Sequence, residues 1–474
     1  LEAFRTVSIV SVLSALRENP EALALLAAVL FAAGLATATL RPGWLLPLVL
    51  VLVPVRLPLD FAWNPATPLL LGMVLGRAPA ILRMLRGEPL FAAATALLPL
   101  WIVLSSLWAL QSAFVPLLLA KWGMVLLAAW LAAADEMPNA RVLVVALVVA
   151  IVPHALWAVA ERLHWLAPIG DPGTLEWRGI DFQGAVRGKA LFWHPNRLAE
   201  FTEEGGLVLV GAAMGGVLPW LAGIGVAAAM AAAWATGSTG GMATIFGGTM
   251  LCLGWMLMVR RLWPSHASAD AGVGVPAAGS TQRIATGGTA PARRRALWIL
   301  GIAILGAAVA GAVAFVTHGG IGNRQMVFAF AGDQIAARPW LGAGAGNWSL
   351  LVGSSSLELS RFWFRGHAHS LPLQVWVELG AVGVVLVAVF FLVPLASVWP
   401  RLRALTPAWR GIGTGASFAI LGILAHNLVH YFLRDPIDGI MTGLMLGLVI
   451  SAARRAPSVR RMPAAPAGEV AAPS

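Results

Sequence analysis

The sequence predicts an all-α polytopic membrane protein, a bundle of about 12 transmembrane helices with external loops folded over it, and three observations carry that prediction. Of 474 residues, 59% are hydrophobic and only 11% are charged, where a soluble domain carries about 25% charged residues. Mean hydropathy is +0.81, and the apolar residues gather in runs near the length, about 17–25 residues, that crosses a bilayer as a helix. The chain holds 21 Trp but a single Tyr, and indole rings anchor spans at the membrane–water interface. The net charge of +11 lies mostly as Arg in short loops, which orients spans, so nucleic acid is not the expected partner. The single cysteine, Cys252, sits in an apolar run, so no intrachain disulfide framework is expected. Residues 1–20 carry Arg5, Glu18 and Pro20 without an apolar core and cleavage site, so no cleavable signal peptide is expected.

Candidate spans fall near 21–40, 43–58, 66–83, 89–110, 112–133, 141–161, 198–217, 219–236, 240–259, 296–316, 371–399, 411–432 and 437–453. The first three are short and Pro-bearing, so one of them is expected to be re-entrant or merged. Clustered Arg marks one side of the membrane as cytoplasmic: Arg83 and Arg86; Arg260, Arg261, Arg283 and Arg293–Arg295; Arg401, Arg403 and Arg410; and Arg454, Arg455, Arg460 and Arg461. The chain then divides into N-terminal spans (1–161), a first external loop (162–197), central spans (198–259) and a cytoplasmic linker (260–295). A further span (296–316), a large external loop (317–370), C-terminal spans (371–453) and a cytoplasmic tail (454–474) follow. Residues 262–292 are rich in Ala, Gly, Ser, Thr and Pro and read as a disordered linker.

Chemistry-bearing residues concentrate in the external loops. The first carries Arg178, Arg187, Lys189, His194 and Arg197 with Asp171, Glu176 and Asp181. The second carries Arg324, Arg338, Arg361, Arg365, His367 and His369 against only Asp333 and Glu358. External loops usually avoid Arg, so this excess hints at a bound anion, and a polyprenyl pyrophosphate fits because its lipid stays in the bilayer. No DxD, HExxH or CxxC occurs, which argues against a metal-dependent transferase. His426 and His430 stand four apart beside Arg434 and Asp435, and are expected to form a polar, cavity-facing patch rather than a metal site. Lys121, Glu203 and Glu204 fall under the same rule, while Glu378 lies too deep to be an obvious proton partner of His369. The glycine runs 342–346 and 238–248 are expected to serve tight loop geometry and small-residue helix packing, since no βαβ pattern accompanies them.

Together these segments resemble the O-antigen ligase and polymerase superfamily of bacterial envelope enzymes. His369-Ser370, nine residues, then Gly380-Ala-Val-Gly383 is similar to the ligases' His motif and Gly-x-x-Gly. Arg324 with ARPWLGAGAGNW (337–348) is similar to the family's Arg, Pro and Gly-x-Gly stretch, and FWHPNRLAEF (192–201) to its His-Pro-Asn element. The likeness covers about residues 190–450, and 1–190 only by hydropathy. One position departs: where the family often has Ser-Arg before glycine, this chain reads Ser238-Thr239-Gly240, so a phosphate role there passes to Arg187, Lys189 or Arg197.

The resemblance implies a GT-C-like membrane glycosyltransferase fold in the bacterial inner membrane, with its active site facing the periplasm. It implies metal-independent inverting transfer of a glycan from undecaprenyl pyrophosphate to lipid A-core oligosaccharide, without a cofactor. His369 would be the general base. Arg324, Arg361, Arg365, Arg187, Lys189 and Arg197 would hold the donor pyrophosphate, with His367, His194, Asn196 and Asp435 in support. An O-antigen polymerase or a protein O-oligosaccharyltransferase would share that chemistry. A lipid-linked glycan transporter would need charges near the midplane, whereas these cluster at the external edge.

Overall fold

The computed structural model describes residues 19–55, 64–134, 139–166, 186–192, 194–262, 324–354, 366–434 and 436–456. The regular elements there are helices: α1 (Pro20–Leu40), α2 (Leu45–Leu52), α3 (Ala66–Gly76), α4 (Ala78–Gly87), α5 (Pro89–Leu104), α6 (Val115–Ala134), α7 (Ala140–Arg162), α8 (Pro195–Met214), α9 (Pro219–Thr236) and α10 (Thr239–Leu262). After the undescribed 263–323 come α11 (Arg324–Ala337), α12 (Trp348–Ser354), α13 (Leu371–Val398), α14 (Pro407–His426) and α15 (Pro436–Arg454). Proline opens six of the long ones (α1, α5, α8, α9, α14 and α15) at a position whose N–H has no intrahelical partner to lose. Asn19, Asn139, His194 and Ser370 each cap a first turn with a side-chain acceptor.

Nine helices among the described residues are long and apolar enough to cross a membrane, and the pair α3–α4, bent by 72°, would make ten. The chain is therefore a multi-pass membrane protein whose described residues are organised as helices. Several predicted spans are revised. The run at 43–58 yields only the eight-residue α2, the run at 66–83 breaks at Arg77, and the run at 411–432 ends its helix at His426. The span at 296–316 lies outside the described residues. The span at 198–217 becomes α8, whose Arg197, Glu200, Glu203 and Glu204 make it too charged for an ordinary lipid-facing helix.

Its position explains how α8 tolerates that charge. Seventeen of its 20 residues are buried, because α7, α9, α10, α14 and α15 pack around it. Glycine sets the closeness of that packing: a Cβ on Gly211 would lie 2.1 Å from the Gly411 carbonyl oxygen, and one on Gly411 would lie 2.2 Å from that of Gly211. The α15–α6 seam is built alike, with Gly443 against the Val125 carbonyl and Gly447 against that of Ala129. Where lipid supplies no hydrophobic drive between helices, such backbone contact is what holds them together.

The bundle has two chemically distinct ends. At one, Arg401 lies 3.4 Å from Glu88, Arg454 donates to the Ala133 carbonyl, Arg410 donates to three carbonyls after α13, and Arg455 covers the Trp409 ring. At the other, the first turns of α8, α10, α13 and α15 meet the last turns of α7, α9 and α14. This second, histidine-bearing end holds all the candidate site residues that the structure describes.

The long helix α13 is interrupted near that end. Gly380 has φ 69° and ψ −173°, a region open essentially to glycine alone. The groups freed by the break are met by the segment 339–344, whose Gly342, Gly344 and neighbouring Gly346 all have positive φ. Ala343 N–H donates to Val377 O, Gly344 N–H to Glu378 O, and Ala381 N–H to Pro339 O, while the Trp101 indole donates to Leu379 O. Irregular backbone at membrane depth persists only when protein satisfies it in this way. The nine residues between Ser370 and Gly380 thus make one short helical stretch, capped by Ser370 and ended by Gly380.

Candidate functional site

His369 lies just before α13 with φ 52°, in the left-handed region that few non-glycine residues occupy. Its neighbours fix it there. The His369 N–H donates to His367 Nδ1 at 3.1 Å, the Ala368 N–H to Gln374 Oε1 at 2.6 Å, and the Leu371 N–H to the Asn427 carbonyl at 2.8 Å. Gln374 in turn donates to Glu378 Oε1 at 2.7 Å, and that carboxylate also accepts from Trp348 N–H. Glu378 therefore braces the loop that carries His369. It is also within electrostatic reach of Lys121 on α6.

Four imidazoles gather at this end. His367 and His369 have ring centroids 4.1 Å apart, His367 and His430 6.4 Å, and His430 and His426 5.4 Å in a stacked pair. His367, His426 and His430 are buried, whereas the His369 side chain is only half-buried. His426 ends α14 and His430 lies in the turn beyond, so the pair faces across a chain reversal rather than along one helical face. Among the described residues, no three His, Cys, Asp or Glu side chains are grouped so as to hold a metal ion.

Below the imidazoles lies a polar knot. Arg197 donates to Glu200 Oε2 at 2.8 Å, to Asp438 Oδ2 at 2.5 Å and to the Tyr431 carbonyl at 3.1 Å. Glu203 Oε2 lies 3.0 Å from His426 Nδ1, and Thr442 donates to Glu204 Oε1 at 3.1 Å. Asn427 Oδ1 accepts the Phe432 N–H at 2.6 Å and so closes the loop between α14 and α15 over the knot. In that loop, burial and then the Arg197 guanidinium hold the His430 imidazole well below its ordinary pKa. Burial and then the Glu378 carboxylate push the Tyr431 phenol well up.

The remaining predicted residues are placed as follows. Arg187 is half-buried and donates to the Thr236 carbonyl at 2.5 Å and to Asn196 Oδ1 at 2.6 Å, beside Gly237. His194 caps α8 and accepts from Asn196 N–H. Lys189 is buried, with its own N–H held by Glu161 Oε2. Arg187 and Asn196 thus sit one turn from Gly240, against which His426 packs. Arg197 pairs with the buried acids, its side chain only 1% exposed. Arg324 opens α11, but its side chain, like Arg361, Arg365 and Asp435, lies outside the described residues.

Sequence reasoning did not single out Glu200, Asp438, Gln374 or Tyr431. A signal for the first existed: Arg197, Glu200 and Glu204 recur at i, i+3 and i+7, one face of a helix set in an apolar run. Asp438 follows Asp435 in the turn before an apolar run, and only the approach of α15 to α8 pairs it with Arg197.

A half-buried imidazole on a strained loop with a braced backbone makes a site suited to moving a proton. No protein-family profile matches the chain, and no curated protein does either.

Proposed function

We propose that the chain is a membrane glycosyltransferase of the O-antigen ligase type, with about 12 spans and a GT-C-like fold in the bacterial inner membrane. Its histidine end would face the periplasm. It would move a glycan from undecaprenyl pyrophosphate to lipid A-core oligosaccharide with inversion. The observation that carries this reading is the His369 loop: a half-buried imidazole held at φ 52° at the bundle end that also holds Arg187 and the first turn of α10. The acceptor hydroxyl gives its proton to His369 as its oxygen attacks the sugar carbon, and the bond to pyrophosphate breaks with its electron pair. Arg187 and the loop Arg residues 324, 361 and 365 balance the charge on the leaving group. The acid–imidazole knot beneath is deeper than a purely external charge cluster, yet its one guanidinium is spent on Glu200 and Asp438. A glycan-phosphate transporter would need that cation free, so a carrier is the weaker reading.

The test uses purified protein in detergent with lipid-linked glycan and lipid A-core, with EDTA present. Transfer is expected, and His369→Ala is expected to lose it while eluting and melting like the parent. Full transfer by that variant would sink the base assignment. Replacing the acceptor with a second lipid-linked glycan or a pilin peptide separates ligase from polymerase and protein transferase.

A further inference from the structure

The transfer step leaves a proton to be disposed of, and the residues behind His369 form a path for it. Glu200, Glu203, Glu204 and Asp438 are each no more than 1% exposed, with Arg197 as the cation among them. Keeping four carboxylates ionised against one guanidinium would leave three charges uncompensated in apolar surroundings, which the desolvation of buried charge opposes. Even two protonated imidazoles, His426 and His430, would leave one over. Protons are therefore held within this group of side chains at neutral pH.

The hydrogen bonding leaves room for them. Glu200 Oε1, Glu203 Oε1, Glu204 Oε2 and His430 Nε2 are buried and have no hydrogen-bond partner among the described residues. Such atoms are costly to bury in that state, and a proton or a bound donor relieves the cost. His430 Nε2 and Glu200 Oε1 are 3.5 Å apart, so a small rotation of either side chain joins them. On its other sides His430 stacks on His426, which reaches Glu203, and meets His367, whose ring lies against that of His369. Among the described residues, Tyr431, Glu378 and Lys121 face this end from the loop, α13 and α6, and Arg187, Lys189, His194 and Glu161 lie at the same end beside α7, α8 and α9.

We infer that the buried acid–histidine cluster is a proton store for the transfer site, charged through His430 and His367 with the proton that the acceptor hydroxyl yields at His369. The inference rests on the transferase reading given above. In each cycle the hydroxyl O–H bond breaks, its oxygen forms the new bond to the sugar carbon, and the pyrophosphate departs with the electron pair. The proton passes from His369 inward to a carboxylate and returns to solvent by the same route before the next acceptor binds. Glu203 and Glu200 are positioning and relay residues here and do not touch substrate.

Two measurements on the full-length protein in detergent test it. Infrared spectroscopy in H2O and D2O should show a protonated carboxyl band at neutral pH, reduced in Glu203→Gln and in Glu204→Gln. No such band, or a band unchanged in both variants, overturns the store whether or not the protein transfers glycan. In the transfer assay, Glu203→Gln should lower kcat about tenfold, leave KM for the lipid-linked donor unchanged and move the acid limb of the pH–rate profile. A lowered melting temperature with an unmoved profile makes the cluster a structural brace and overturns the relay. Should Glu203→Gln fail to fold, His430→Gln carries the same comparison. If the unmodified protein transfers to no acceptor, the transferase reading and the relay fall together, and the infrared result alone decides the store.

Discussion

Replacing Gly380 by alanine tests the architecture that aims His369. At φ 69° and ψ −173° the backbone is in a region that costs an L-residue roughly 1–3 kcal/mol. The added Cβ would lie 2.0 Å from the Trp340 carbonyl oxygen and 2.5 Å from Leu341 N. Both are backbone atoms, so the segment 339–344 has to move away from α13. Doing so strains the bonds Ala343 to Val377, Gly344 to Glu378 and Ala381 to Pro339, each worth about 0.5–1.5 kcal/mol. Strain and lost bonds together amount to about 3–7 kcal/mol. Gly254→Ala is the matched control, because a Cβ there meets nothing within 4 Å and alanine is the better helix former. Thermal unfolding in detergent, followed by intrinsic tryptophan fluorescence, should place Gly380→Ala well below the parent and Gly254→Ala at or above it. If Gly380→Ala melts with the parent, the interlock between 339–344 and the α13 break does not hold the site, and the account of the nine-residue spacing fails with it.

Two further outcomes follow from the buried knot. Arg197→Met should destabilise the protein by about 3–5 kcal/mol, because Glu200 and Asp438 lose the guanidinium that each touches within 3 Å; Arg197→Met with Asp438→Leu should recover part of the loss, read as melting temperature in detergent. The depressed pKa of His430 means that the unfolded chain binds the extra proton more readily, so this group's contribution to stability is present above the ordinary imidazole range and is lost as pH falls below it. Melting temperature should therefore fall on acidification through that range, and His430→Asn should flatten the fall; an equal slope in both proteins would refute the assignment.

Much of this was legible in the chain. Apolar runs near bilayer length give helices at 20–40, 140–162, 219–236 and 436–454, close to where the hydropathy places them. The proline starts of α1, α9 and α15 and the Asn, Ser or His caps of α1, α7, α8 and α13 are local chemistry that sequence displays directly. The expected small-residue roles for the glycine runs also stand: Gly342, Gly344 and Gly346 take positive φ, and Gly240 and Gly241 let α10 approach His426 and Ala199. The helix expected at 198–217 forms at 195–214, but hydropathy averages over a helix and cannot tell a lipid-facing surface from one enclosed by five neighbours.

By itself, then, the sequence determined that the chain crosses membranes as helices, that Arg gathers at one end, and that His367 and His369 stand at the head of an apolar helix. These depend on composition, on period and on contacts within a turn or two. Tertiary structure alone decided that His426 and His430 join them, that Asp438 crosses from α15 to Arg197, and that Arg197 is buried among acids. Those pairings link residues more than 50 positions apart, and no local pattern encodes which buried charge meets which. Only the packing of α8 against α14 and α15 brings them together, and at the α8–α14 seam glycine lets the backbones come into contact.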